Sequence, residues 1–206
     1  MIERFRAALF DLDGVVIDTE SQYSRFWAQM GHEFRPDVDD FAARIKGRTL
    51  QGIFDTWFAG RTEEQREITR RLNDYEARME YTYIRGTRAY AKRLRESGIR
   101  TAIVTSSNLP KMNCLYRARP ELPELFERIF TSEDFTAGKP APDCYLHAAA
   151  AFGIPPQECV VFEDSINGLR AGRDSGAYVV GLATSLPREV IAPLCDKVID
   201  HFEELL

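Results

Sequence analysis

Asp11 and Asp13 stand two residues apart in Phe10-Asp11-Leu12-Asp13-Gly14-Val15-Val16, directly behind the apolar run Ala7-Ala8-Leu9-Phe10. Along a strand, positions i and i+2 point to one side, so the spacing brings both acids to one place. Two anions that close repel unless a proton or a cation lies between them. A hard cation that prefers oxygen, such as Mg²⁺, satisfies such a pair. The plainer reading is an acidic turn that closes a strand, since Asp and Gly favour turns.

Three later segments supply matching chemistry. Thr105-Ser106-Ser107-Asn108 follows Thr101-Ala102-Ile103-Val104 and offers hydroxyls to a phosphoryl oxygen, or a polar turn with a helix cap. Lys139, in Gly138-Lys139-Pro140-Ala141-Pro142-Asp143, is a cation on a loop stiffened by proline, or a solvated surface lysine. Glu163-Asp164-Ser165 follows Cys159-Val160-Val161-Phe162 and adds two carboxylates, or a charge pair at a helix start. Each segment alone is ambiguous. Together they assemble three carboxylates for a divalent cation, a lysine for anionic charge and hydroxyls for oxygens. That kit suits phosphoryl transfer, where positioning and electrostatics supply most of the catalysis.

The elements that must hold these groups alternate along the chain. Strand candidates are Ala7–Phe10, Thr101–Val104, Arg128–Phe130, Cys159–Phe162, Tyr178–Gly181 and Lys197–Ile199. Helices are expected over 88–97 (stopping at Gly98), 142–152 (opening with Pro142, stopping at Gly153) and 166–175 (stopping near Gly176). Gly168 and Gly172, one turn apart, let the last of these approach the sheet. Such alternation implies a parallel sheet covered on both faces. Its ligand site lies beyond the carboxyl ends of the strands, at the switch in strand order. The stretch from Asp18 to Ile84 differs, with no convincing strand and many charged and aromatic residues. Thr62-Glu63-Glu64-Gln65 reads as a capping box, and Ile68, Leu72, Tyr75 and Met79 form the apolar stripe of a long helix.

Composition narrows the class. The 206 residues are 44% hydrophobic and 29% charged with a net charge of −5, which suits a globular chain and disfavours general nucleic-acid binding. No run approaches the ~20 apolar residues that cross a bilayer, and Met1–Arg6 is too charged for a signal peptide. Cys114, Cys144, Cys159 and Cys195 are irregularly spaced, so free thiols in a reducing cytoplasm are expected. His32, His147 and His201 are scattered and suggest no catalytic triad. A monomer with a small phosphorylated substrate, no nucleic acid and no membrane is expected.

Four signatures in register carry a resemblance: Asp11-Leu12-Asp13-Gly14-Val15-Val16-Ile17-Asp18-Thr19, Thr105-Ser106-Ser107-Asn108, Lys139-Pro140-Ala141-Pro142-Asp143 and Glu163-Asp164-Ser165-Ile166-Asn167-Gly168. The chain resembles the haloacid dehalogenase superfamily, in its phosphatase and β-phosphoglucomutase-like branch. The resemblance implies an α/β fold: a Rossmann-like, doubly wound parallel sheet core (1–17 and 85–206) with an inserted α-helical cap (18–84). It implies Asp11 as nucleophile and Asp13 as acid and base. Mg²⁺ would be held by Asp11, the Asp13 carbonyl and Asp164, with Glu163 nearby or acting through water. Thr105 and Lys139 would hold the phosphoryl group, assisted by Ser106 or Asn108. Asp13 disfavours a dehalogenase, whose relatives lack that acid.

The cap bears on hydrolase against mutase. Lys46-Gly47 matches the cap pair of the mutases, but Tyr23 replaces their histidine and Leu50 their arginine, with Arg48 close by. Tyr23, Trp27, Lys46 and Arg48 are expected to read the leaving group. A Mg²⁺-dependent phosphatase acting on a sugar or polyol phosphate is therefore expected, with a β-phosphoglucomutase-type mutase as the alternative. A signalling receiver domain shares the Asp, Thr/Ser and Lys kit, but its motif order differs.

Overall fold

A computed structural model describes residues 5–206; the start of the charged N-terminal stretch, Met1–Arg4, lies outside them. The order of elements is β1 (Ala7–Phe10), β2 (Ile17–Asp18), α1 (Glu20–Phe34), α2 (Phe41–Ile45), α3 (Leu50–Trp57), α4 (Thr62–Glu76), β3 (Thr82–Tyr83), α5 (Thr87–Glu96), β4 (Arg100–Val104), α6 (Leu109–Ala118), α7 (Leu122–Leu125), β5 (Arg128–Phe130), α8 (Asp143–Phe152), β6 (Cys159–Glu163), α9 (Ile166–Asp174), β7 (Tyr178–Leu182), α10 (Arg188–Ile191) and β8 (Lys197–Ile199). Six strands form a parallel sheet in the order β5-β4-β1-β6-β7-β8. The chain builds outward from β1 to β5, then returns to β1's other side. The reversal puts the ends of β4 and β6 on either side of β1, where open α/β sheets bind ligands.

Alternation along β1 builds two cores. Ala8 and Phe10 face Tyr90, Ala91 and Leu94 of α5 and Met112 and Leu115 of α6. Ala7 and Leu9 face Cys144, Tyr145 and Ala148 of α8 and Leu169 of α9. All four β1 residues are fully buried, as a strand covered on both faces must be. Phe10 stacks on Phe162 at 4.6 Å between ring centroids, and each such buried aromatic contributes roughly 2 kcal/mol through burial. In α5 the buried positions Thr87, Tyr90, Ala91 and Leu94 follow helical spacing. Gly172 of α9 works as anticipated: a Cβ there would stand 3.1 Å from Val161 and Val179 of the sheet.

The helices α1 to α4 form a third core of their own around Phe26, Trp27, Met30, Phe41, Phe54, Phe58, Ile68 and Leu72. Trp27 is buried there and also reaches the rim of the site cavity. Three expectations for this segment need correction. The chain leaves and re-enters the sheet core through an antiparallel pair, β2 with β3 (Ile17 opposite Tyr83, Asp18 opposite Thr82). Two-residue strands are too short to show periodicity. Nor does Thr62 cap α4: it is the first helical residue, Arg61 holds the cap position, and no side chain caps that end. The stripe also stops short of Met79, which lies beyond the helix end and packs into the sheet core instead.

Candidate active site

The strand β1 stops at Phe10, and its ladder extends one residue further through the Asp11 amide, which donates to the Phe162 carbonyl at 3.0 Å. A tight turn follows, in which the amides of Val16 and Ile17 both donate to the Leu12 carbonyl at 2.9 Å. Asp11 and Asp13 thus share a cavity because a turn folds them together, and strand alternation plays no part. Gly14 permits that turn. Its φ is +76°, and a Cβ there would come within 2.1 Å of Asp164 Oδ2.

One cavity of about 120 Å³ lies between the strand ends and the helical segment. Asp11, Asp13, Thr105, Ser106, Asn108 and Asp164 line its floor, while Tyr23, Lys46 and Arg48 line its roof. None of the three histidines lines it. Lys139 and Glu163 sit behind this floor, among the buried residues.

The Lys139 ammonium donates to Asp11 Oδ1 at 2.6 Å, to Glu163 Oε1 at 2.6 Å and to the Val104 carbonyl at 3.3 Å. All three of its donors are spent. Burial alone would lower its proton affinity, but Asp11 and Glu163 hold it well above the ordinary lysine range. Glu163 is equally committed. Its Oε1 also accepts from the Tyr145 hydroxyl at 2.8 Å, and its Oε2 accepts from the amides of Asp164 and Ser165 and the Ser165 hydroxyl. Gly168 makes room for that carboxylate, since a Cβ there would overlap it at 1.8 Å.

Asp11, Glu163 and Asp164 each offer a carboxylate oxygen within 4.8 Å of the others, a group that can hold a metal ion. Three buried acids against one lysine leave the spot short of positive charge. Burial raises Asp11 to about 7, with Lys139 opposing and Glu163 and Asp13 adding to the rise. Burial, with Glu20, Glu163 and Asp11 nearby, also raises Asp164 well above the usual carboxylate range. Such strain on charged acids is what a divalent cation relieves. Since Glu163 is saturated by protein donors, Asp11 and Asp164 are the members with lone pairs left for an ion.

Other anticipated residues have local duties as well. Thr105 is buried, and its hydroxyl accepts from the Ser107 amide at 3.0 Å. The Ser106 hydroxyl donates to the Gly47 carbonyl at 3.1 Å. Asn108 caps α6 by accepting from the Lys111 amide at 3.1 Å. Lys46 pairs with Glu20 at 2.8 Å, and its carbonyl accepts from Asn167 at 2.7 Å. The Tyr23 hydroxyl donates to Glu76 Oε1 at 2.8 Å. The loop 46–48 is therefore tied to the sheet core at Ser106 and Asn167.

Two residues absent from the sequence reading complete the site. Lys111, 3% exposed, donates to Asp13 Oδ2, and Glu76, 4% exposed, lines the cavity from α4. Both were legible as charges at apolar register positions. Lys111 stands four residues before buried Leu115, and Glu76 four after Leu72.

Comparison with known proteins places this geometry. A family model described as haloacid dehalogenase-like hydrolase matches residues 5–176. The chain belongs to that family. Hexitol phosphatase A of Escherichia coli (strain K12) is 33% identical, over 87% of this chain and 83% of the relative. A β-phosphoglucomutase of Mycobacterium bovis is 28% identical, over 99% and 92% respectively. The crystal structure of CbbY from Rhodobacter sphaeroides in complex with phosphate superposes with a TM-score of 0.75 at 26% identity, covering 98% of this chain and 96% of that one. This haloacid dehalogenase-like enzyme thus acts on phosphate esters, as a phosphatase or a phosphomutase. Its fold is that of these relatives, an α/β sheet core carrying an inserted helical cap. Among the described residues, no helix is long and apolar enough to cross a membrane.

Proposed function

We propose that the protein is a Mg²⁺-dependent phosphatase that hydrolyses a small sugar or polyol phosphate through an aspartyl-phosphate on Asp11. The observation that carries this reading is the state of Asp11. One of its oxygens is fixed by Lys139 while its side chain faces a cavity shared with Asp13. Asp11 attacks phosphorus, forming an Oδ–P bond as the ester P–O bond breaks, and the proton of Asp13 passes to the leaving oxygen. Water then gives its proton to Asp13 as its oxygen bonds to phosphorus, and the Asp11–P bond breaks. Thr105 steadies the phosphoryl oxygens from the cavity floor, while Lys139 holds Asp11 from behind it and offsets its charge. Asp11, Asp164 and the Asp13 carbonyl would hold Mg²⁺, which when bound offsets the repulsion between the carboxylate and the phosphate dianion. The helical segment 18–84 acts as a cap that excludes bulk water.

The cap side of the cavity favours hydrolysis over mutase chemistry. A second phosphate needs cations of its own. Lys46 is already paired with Glu20, Lys111 with Asp13, and Glu76 adds a buried carboxylate. Arg48 alone is uncommitted at its Nε among the described residues. A roof with Glu76 and Tyr23 suits the hydroxyls of a neutral leaving group. The test is a Mg²⁺-dependent phosphate-release screen over sorbitol 6-phosphate, glucose 6-phosphate and nucleotides, run beside an isomerisation assay with β-glucose 1-phosphate. Phosphate release from a hexitol or sugar monophosphate is expected. Rapid isomerisation with only trace phosphate would establish the mutase instead.

A further inference from the structure

Lys111 is a buried cation that the chemistry above does not use. It leaves α6 one turn after the Asn108 cap, and its ammonium reaches the side chain of Asp13. Burying a lysine is costly unless its charge and its donors are met. Here they are met by Asp13 Oδ2, by the Ser107 hydroxyl at 2.8 Å and by the face of Tyr23, whose ring centroid lies 4.6 Å from Nζ. The Ser107 hydroxyl in turn donates to the same Asp13 oxygen at 3.0 Å. The other oxygen, Oδ1, accepts from the Thr19 hydroxyl.

We infer that Lys111 is a positioning residue: with Ser107 it pins Asp13 Oδ2, leaving Oδ1 as the oxygen that exchanges a proton with the leaving group and with water. Two donors fix Oδ2, one of them an ammonium that cannot accept a proton back. Oδ1 has a hydroxyl partner, which can turn from donor to acceptor as the proton comes and goes. The acid stands just before the turn at Gly14, and without the donors on Oδ2 only the Thr19 hydroxyl would hold its carboxylate. Misplacing a proton donor by about an ångström is enough to lose about a hundredfold in rate. Lys111 also touches Tyr23 of α1, so Asp13 is registered against both the sheet core and the cap.

This inference rests on the phosphatase reading above, and the test separates the two. Sorbitol 6-phosphate, an alkyl ester, needs its leaving oxygen protonated, whereas p-nitrophenyl phosphate, an aryl ester, leaves readily without a proton. In Lys111→Met the ratio of alkyl to aryl kcat is expected to fall about tenfold or more, with KM for either ester changed less than about twofold. Lys111→Arg is expected to recover part of that ratio. Lys111→Gln, which has no charge to bury, gives the same readout if the Met variant does not fold. A ratio unchanged from wild type, including an equal loss on both esters, overturns the positioning role. Wild-type protein inert toward every phosphomonoester would instead overturn the phosphatase reading itself.

Discussion

Lys139 Nζ stands 2.6 Å from Asp11 Oδ1, and the same nitrogen stands 2.6 Å from Glu163 Oε1. The lysine is thus a buried link between the acid facing the cavity and a carboxylate locked behind it. Removing its charge strands two anions. Lys139→Met is expected to lower kcat by about 10²-fold or more and to destabilise the fold by about 3 kcal/mol. Phosphate-release kinetics and chemical denaturation check the two effects, and near-normal turnover would remove Lys139 from the phosphoryl site.

Proton binding at Asp11 makes stability and metal binding depend on pH in opposite ways. Burial raises this acid from 3.8 to about 7 in the folded protein. Between those values the metal-free fold holds a proton that the unfolded chain has lost, so the stability contributed by this acid is fully present below about pH 4 and is lost as pH rises through about 7. Asp164 is raised in the same sense. The exposed acids Asp37 and Glu67 are lowered to about 2 by their arginine partners, so their contributions vary only at lower pH. Thermal unfolding in EDTA should therefore show Tm falling over this window, while Mg²⁺ affinity tightens with pH as the cation displaces the proton. EDTA should also silence turnover. A Tm that climbs through the window, or full activity in EDTA, would contradict the metal site.

Gly168 tests the packing behind the catalytic floor. An added methyl group there meets the Glu163 carboxylate at 1.8 to 2.1 Å. Gly168→Ala is expected to cost about 1–3 kcal/mol and to loosen the Lys139 link, whereas Gly98→Ala, where nothing lies within 4 Å, pays only for its φ of +77°. Equal stability of wild type and Gly168→Ala by denaturant titration would show that Glu163 has room to retreat.

Much of the fold was readable because the sheet is simple. Strands such as Ala7–Phe10, followed by Asp11, and Cys159–Glu163 are short apolar runs that stop at an acid, and Gly153, with φ +66°, closes α8 where expected. What the sequence does not show depends on tertiary contact. The β2–β3 pair is two residues long, and α4 begins without a side-chain cap because packing of Ile68 and Leu72 outweighs a missing hydrogen bond of about 1 kcal/mol. Within the site, Asp11, Asp13, Thr105 and Asp164 were legible from their places at strand ends. The sequence suggests Glu163 as a metal neighbour, yet its oxygens are taken by Lys139, Tyr145 and the start of α9, which no linear spacing reveals. Lys111 and Glu76 were the missed signals, each a charge in an apolar helical register.

Rapid acid quenching during turnover, followed by peptide mass mapping, tests the central claim most directly. During Mg²⁺-dependent hydrolysis of the best substrate, the peptide carrying Asp11 should bear an acid-stable, hydroxylamine-labile phosphoryl group, absent from Asp11→Asn, which should also lose about 10⁴-fold or more in kcat. Steady turnover with that peptide unmodified at every quench time, or an Asp11→Asn variant of near-normal rate, would contradict it.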